Sequence, residues 1–262
     1  MLTIEKTVTM SPEQWEIVIE GMRNPKNSWD RMDSEYGPID DSGDSLCDFI
    51  LGPNDHTLMT HLANGGPVHA KYRRMMPVWV TINAPLYWWK EFDTYKVGTV
   101  CNSCSTMHKI HVKEFDIWDF STDHLFSPED MIEFEERTNI DNDDALSAVN
   151  VDGNRCYFTP KGYTQMTCNI LNRYREKFLE AQKKPMKDES KRAGLVKKYW
   201  WQMIQLLPTS YNQKRTILLN YEVLVNIYTW RKNHKLDEWH VFCDWIEKLP
   251  YSDLITGGLS DE

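Results

Sequence analysis

Apolar and polar positions alternate at residues 2–9, with Leu2, Ile4 and Val8 on one side and Thr3, Glu5 and Thr7 on the other, which predicts a half-buried strand. Ser11-Pro12-Glu13 then opens a helix. The serine can accept from the orphan amides of the first turn, Pro12 needs no donor there, and Trp15, Val18 and Ile19 give an apolar stripe at helical spacing. Residues 24–55 are rich in Asn, Asp, Ser, Gly and Pro and read as a loop broken by one apolar segment, Leu46-Cys47-Asp48-Phe49-Ile50-Leu51. A helix over residues 55–64 ends at Gly65-Gly66, and residues 78–82 supply β-branched side chains for a strand before Pro85. Pro85 begins a helix over residues 86–96, where Trp88, Trp89 and Phe92 fall on several faces. Residues 163–184 form a long amphipathic helix, residues 183–198 a basic, mobile connection, and residues 195–207 another helix. Between Asn212 and Arg231 apolar residues lie all around a helical wheel, which predicts a central, buried helix. A last helix over residues 236–249 carries Trp239, Phe242, Trp245 and Ile246, and Pro250 closes it.

With 262 residues, no repeat and no clear linker, one domain over residues 1–262 is the simplest organisation, with residues 121–155 as an acidic insertion or loop. The fold class expected is α/β of the α+β kind, a central antiparallel or mixed sheet with long, largely buried helices. A formal charge of -9 gives the surface as a whole no attraction for nucleic acid or anionic membrane. The most apolar stretch, residues 77–89, is well short of the roughly twenty residues a membrane-spanning helix needs. Six cysteines without a secretory leader pattern predict free thiols in a reducing, cytoplasmic setting.

Two clusters carry candidate chemistry. The first is Cys101-Asn102-Ser103-Cys104-Ser105-Thr106-Met107-His108, followed by Lys109 and His111. Cys101, Cys104, His108 and His111 are zinc-ligand types. On a helix, however, they would span about 15 Å, and in a loop they leave almost no chain for a tetrahedral shell, so no metal site is expected. A redox pair lacks the strand-then-helix setting that activates a thiol. The remaining reading is two small core cysteines among turn-forming polar residues. The second cluster is Asn220 and Arg231, eleven residues or about three helical turns apart, with Leu224 and Ile227 between them at roughly 16 Å end to end. An amide and a guanidinium on one line could face a flat ligand. The alternative is an Asn bonded to backbone and an Arg paired with Asp237 or Glu238. No Gly-rich phosphate loop, Gly-x-Ser-x-Gly elbow or His-Glu-x-x-His helix occurs.

In this order the two clusters resemble the flavin-dependent thymidylate synthases. That family carries Arg-His-Arg, a two-residue spacer and Ser-x-Asn-Glu-x-Ser-x-Arg-Tyr, and Asn102 and Ser105 fall on its Asn and second Ser. Leu207, Pro208, Asn220, Leu224, Asn226 and Arg231 match the later Leu-Pro to Leu-Arg stretch, and Trp239 matches the Trp beyond it. The resemblance implies FAD as cofactor, with methylenetetrahydrofolate and NADPH as co-substrates and a pyrimidine nucleotide (dUMP or a related base) as acceptor of a one-carbon unit. It implies Ser105 and Arg231 at the nucleotide, Asn102, Asn220, Tyr95 and Lys96 at the flavin, and a homotetramer. Tyr95-Lys96-Val97 stands where Arg-His-Arg would be, Val100, Ser103, Met107 and His108 replace motif residues, and Glu222 stands where the family has a flavin-contacting Arg. Lys96, Lys109, Arg73 or Arg74 would have to supply the missing charge. A nucleotide-binding protein that kept this fold and lost the flavin is the alternative.

Overall fold

The computed structural model describes residues 1–37, 49–127, 130, 148–151, 154–157, 159–185 and 187–257. Most of the acidic stretch and Leu46, Cys47 and Asp48 lie outside them. The described chain groups into two compact units.

The larger unit, residues 2–83, 88–103 and 214–262, contains most of a four-stranded sheet of order β1-β4-β8-β5. Its strands are β1 (Thr3–Val8), β4 (Pro77–Pro85), β5 (Val100–Ser103) and β8 (Asn212–Asn220), and β1 pairs with β4, and β5 with β8, antiparallel. Two short strands, β2 (Glu35–Tyr36) and β3 (Phe49–Ile50), form a separate ladder. Helix α1 (Pro12–Arg23) starts as its sequence predicts: Ser11 Oγ accepts from Gln14 N while Gln14 Oε1 accepts from Ser11 N, a reciprocal cap worth about 1 kcal/mol. Helix α2 (Pro53–Asn64) follows. Helix α3 (Leu86–Phe92) is shorter than its apolar run suggests, giving way to turns before Tyr95.

Residues 212–231 are not one helix. Asn212–Asn220 is strand β8 and only Tyr221–Arg231 is helix, α6 in the order used here. A strand feeding straight into a helix puts apolar residues at every angle of a helical wheel. The period-two burial of Gln213, Ile217 and Leu219 is the pattern that decides the first half. Helices α7 (Asp237–Ile246) and α8 (Asp253–Thr256) close the unit. Trp88, Trp89, Phe92, Trp239 and Phe242, all buried, form one aromatic cluster with ring centroids 4.8–6.5 Å apart. Such pairs add about 0.5–1.5 kcal/mol each beyond area burial.

The sheet is two-faced. Val78, Val80, Ile82, Ile217 and Leu219 are buried. On the opposite face Thr81 Oγ1 meets Thr216 Oγ1 at 2.9 Å, Thr216 pairs with Asn102, Leu218 pairs with Val100, and Trp79 pairs with Val8. Val8 and Val100 are 45% and 65% exposed, so among the described residues this face is open.

The smaller unit comprises Met1 and residues 84–87 and 104–213. Helices α4 (Pro160–Lys183) and α5 (Glu189–Leu206) pack on one another over a core of Ile110, Phe115, Phe120, Cys168, Leu171, Phe178 and Met203. Helix α5 begins at Glu189, inside the stretch the sequence suggests is a mobile connection, because Asp188 caps it by accepting from Ser190 N and Lys191 N. Strands β6 (Ala148–Val151) and β7 (Asn154–Tyr157) pair antiparallel. No helix among the described residues is long and apolar enough to cross a membrane.

Candidate functional site

The open sheet face supplies an apolar floor, Val100, Leu218 and half-buried Trp79, with hydroxyls of Thr81 and Thr216 and the Asn102 amide between and beside it. Asn102 is exposed on edge strand β5, and its backbone partner is Thr216. Four residues further along β8, about 13 Å at strand rise, the chain turns into α6 at Asn220. Asn220 is the N-cap: it is extended (φ -136°, ψ 169°), and its Oδ1 accepts from Val223 N at 3.1 Å. The amide nitrogen faces Gly98. Gly98 has φ +78°, and a Cβ there would lie 3.0 Å from Asn220 Nδ2 and 3.1 Å from Val223 Cγ2. Only glycine accepts both the left-handed backbone and that approach.

Arg231, the last residue of α6, is occupied. Its Nε donates to Tyr95 Oη at 2.9 Å and its Nη1 to Glu91 Oε2 at 2.8 Å, while the guanidinium carbon stands 4.7 Å from the Trp239 ring centroid. Glu91 Oε2 also accepts from Trp239 Nε1 at 3.0 Å, and His234 Nε2 lies 3.4 Å from it. The counter-charge is therefore Glu91, not Asp237 or Glu238. Glu91 escapes sequence reasoning because the only local signal is its place one turn before Tyr95, and its partners are over a hundred residues away. Tyr95 and Arg231 are thus brought together, Asn220 sits at the Gly98 turn, and Lys96 is exposed beside Val97, which is 90% exposed.

Ser105 belongs to the smaller unit. Its Oγ accepts from His108 N at 2.9 Å, and the same loop is fixed by Gln213 Nε2 donating to Cys104 O and Trp200 Nε1 donating to Met107 O. Cys101 and Cys104 are free and exposed rather than core residues, with Arg215 Nη1 3.8 Å from the Cys101 sulfur. Arg215 itself is held by Asp93 at 2.7 Å and stands over Trp89. Burial, with the positive charges of Lys109 and Arg175, holds the His111 imidazole below its usual range. Among the described residues no group of three or more His, Cys, Asp or Glu side chains could hold a metal ion.

No protein-family model matches the chain, and no curated protein sequence matches it. Solved structures do. Thymidylate Synthase X (ThyX) from Helicobacter pylori with FAD and dUMP superposes with a TM-score of 0.54 at 14% identity, covering 99% of this chain and 98% of that one. The chain has the fold of a flavin-dependent thymidylate synthase. A second Helicobacter pylori ThyX structure, also complexed with FAD and dUMP, gives a TM-score of 0.51 at 15% identity and covers 99% of each chain. A UMP/dUMP methylase, PolB from Streptomyces cacaoi bound with 5-Br dUMP, covers 94% of this chain and 88% of its own at 13% identity, with a TM-score of 0.43, too low to bear on the fold.

Proposed function

We propose that this protein binds FAD and a pyrimidine nucleotide, dUMP or a related base, and transfers a one-carbon unit from methylenetetrahydrofolate to the pyrimidine, with NADPH as reductant. The observation that carries the reading is the open sheet face, whose apolar floor is bordered by the two matched amides, Asn102 and Asn220, in a ThyX fold. The residues fit a flavin in kind. Asn220 Nδ2 can donate to a ring carbonyl, since only its Oδ1 is used by the cap, Asn102 offers a second amide, and Lys96 a mobile charge. Beside them Thr99 Oγ1 is buried without a hydrogen-bond partner. A bound flavin would supply the reducing equivalents. The protein's part would be to stack rings on an apolar floor, read their edges with amides and exclude water. Arg231 would contact the nucleotide, with Tyr95 orienting it, and the nucleotide role of Ser105 rests on the resemblance alone. The exposed valines of the open face agree with assembly into a homotetramer, the state the resemblance implies.

One observation favours the second reading, a nucleotide-binding protein without flavin chemistry. The Arg231 guanidinium is already paired with Glu91, and Tyr95 and Val97 stand where the family has fixed, planar guanidinium donors. The absorbance spectrum of purified protein, before and after incubation with FAD, separates the readings. An oxidised-flavin band retained through gel filtration, with dTMP formed on adding dUMP, methylenetetrahydrofolate and NADPH, is expected. Protein that stays colourless yet is stabilised by dUMP alone would establish the second reading.

A further inference from the structure

We propose that the cleft between the C-terminal end of α1 and the flank of α2 is a phosphoryl-binding site, open to inorganic phosphate and to small phosphate monoesters. It has a volume of about 920 Å³ and is lined by Arg23, Lys26, Ser28, Asp30, Arg31 and His61, among others. A concavity of this size is in the range of small-molecule sites.

What distinguishes it from an ordinary basic surface is Arg23, which is 2% exposed and lines the cleft. Its Nε donates to Asp55 Oδ1 at 2.6 Å, and its Nη1 donates to Ser28 O and Ser28 Oγ, both at 3.2 Å. Its Nη2 is buried and has no partner among the described residues. A charged donor left unbonded inside a protein signals a missing water, ion or ligand. Asp55 fixes the fork in place, because its second oxygen accepts from Asp33 N, Ser34 N and Ser34 Oγ. The guanidinium therefore cannot swing away to find another acceptor. With Nε and Nη1 engaged, Nη2 remains as one fixed, charged donor for a single oxygen of a tetrahedral oxyanion.

The surrounding charge points the same way. Among the described residues Lys26 and Arg31 have no ion-pair partner, and Asp30 is the one acidic residue that lines the cleft. Arg23 is balanced by Asp55, and Lys26 and Arg31 outweigh Asp30, so the lining keeps an excess of positive charge. The lining shares no residue with the open sheet face, so this site stands or falls separately from the flavin reading.

Calorimetric titration of the full chain with inorganic phosphate, and separately with ribose 5-phosphate, at pH 7.5 and low ionic strength tests the proposal. Both probes are expected to bind; tighter binding of the ester would identify a monoester as the preferred ligand, and equal affinity a free oxyanion. Lys26→Ala/Arg31→Ala, at exposed positions, is expected to weaken phosphate at least tenfold while leaving the melting temperature and a flavin titration unchanged. Arg23→Lys keeps the charge but loses the Nη2 donor that Asp55 and Ser28 hold in place, and is expected to weaken phosphate as well. No binding of either probe, unaltered affinity in the double variant, or malonate bound as tightly as phosphate would overturn the proposal and leave a solvated basic cleft with a water at Arg23.

Discussion

Removing the Glu91 carboxylate should uncouple the end of α6 from α3 and α7. In Glu91→Ala two donors lose their acceptor at once, Arg231 Nη1 at 2.8 Å and Trp239 Nε1 at 3.0 Å, and the His234 ring loses its neighbour. Hydrogen bonds to a charged group contribute about 1.5–3 kcal/mol. The Glu91 side chain keeps 34% of its exposure and Arg231 18%, so water recovers part of the loss. A net destabilisation of about 2–3 kcal/mol follows, which for a chain of this size lowers Tm by about 5–10 °C. Urea denaturation of wild type, Glu91→Ala, Arg231→Ala and the double variant completes a cycle, with an expected coupling of about 1–2 kcal/mol. Additivity within about 0.5 kcal/mol would mean that the pair is not an energetic unit, and the description of Arg231 as a held residue would fail. The same variants carry a second readout. If Arg231 faces the nucleotide, Glu91→Gln, which frees the guanidinium while keeping one acceptor, should tighten dUMP binding several-fold, whereas Arg231→Ala should weaken it.

Other expectations follow from single positions. Leu224, fully buried on α6, should on truncation to Ala cost about 2–5 kcal/mol in chemical denaturation, with flavin affinity per folded molecule unchanged. Gly98→Ala should cost about 1–3 kcal/mol and weaken flavin binding, because the new methyl meets Asn220 Nδ2 at 3.0 Å on a backbone at φ +78°; an unchanged Tm and affinity would show the turn to be adaptable. Burial works to raise the Asp55 pKa, but hydrogen bonds from Ser34, Asp33 and Arg23 and the Arg23 charge outweigh it and hold it below the usual 3.8. A depressed carboxylate contributes stability above its unfolded pKa and loses it as pH falls through the folded value. Asp55→Asn should therefore be destabilised by about 3–5 kcal/mol at pH 7, and its deficit against wild type should shrink below pH ~4 in acid denaturation.

Much of the larger unit was legible in local pattern: the alternation of β1, the Ser11 cap and the Pro85 stop each rest on a few neighbouring residues. Strand β8 was not, because its length of nine residues joins α6 without a turn and the apolar positions of the two merge into a false helical wheel. Residues 189–194 mislead for the opposite reason: charge obscures the capped first turns of a helix whose apolar contacts come from α4. At the site, Asn220 and Arg231 stand out by spacing, and a backbone bond at Asn220 is one of the readings the sequence offers, but the Gly98 contact and the Glu91 partner of Arg231 are not. Gly98 meets Asn220 because β5 pairs with β8, and Glu91 meets Arg231 through tertiary packing, neither of which leaves a mark in the nearby sequence.

The most direct test of the central claim is an equilibrium titration of FAD fluorescence against the full chain and against Asn102→Ala/Asn220→Ala. Saturable quenching at one FAD per chain is expected for the wild type, and at least tenfold weaker binding for the double variant after allowing for the lost helix cap. Wild-type protein that leaves FAD fluorescence untouched, or a double variant that binds as well as wild type, would contradict the claim.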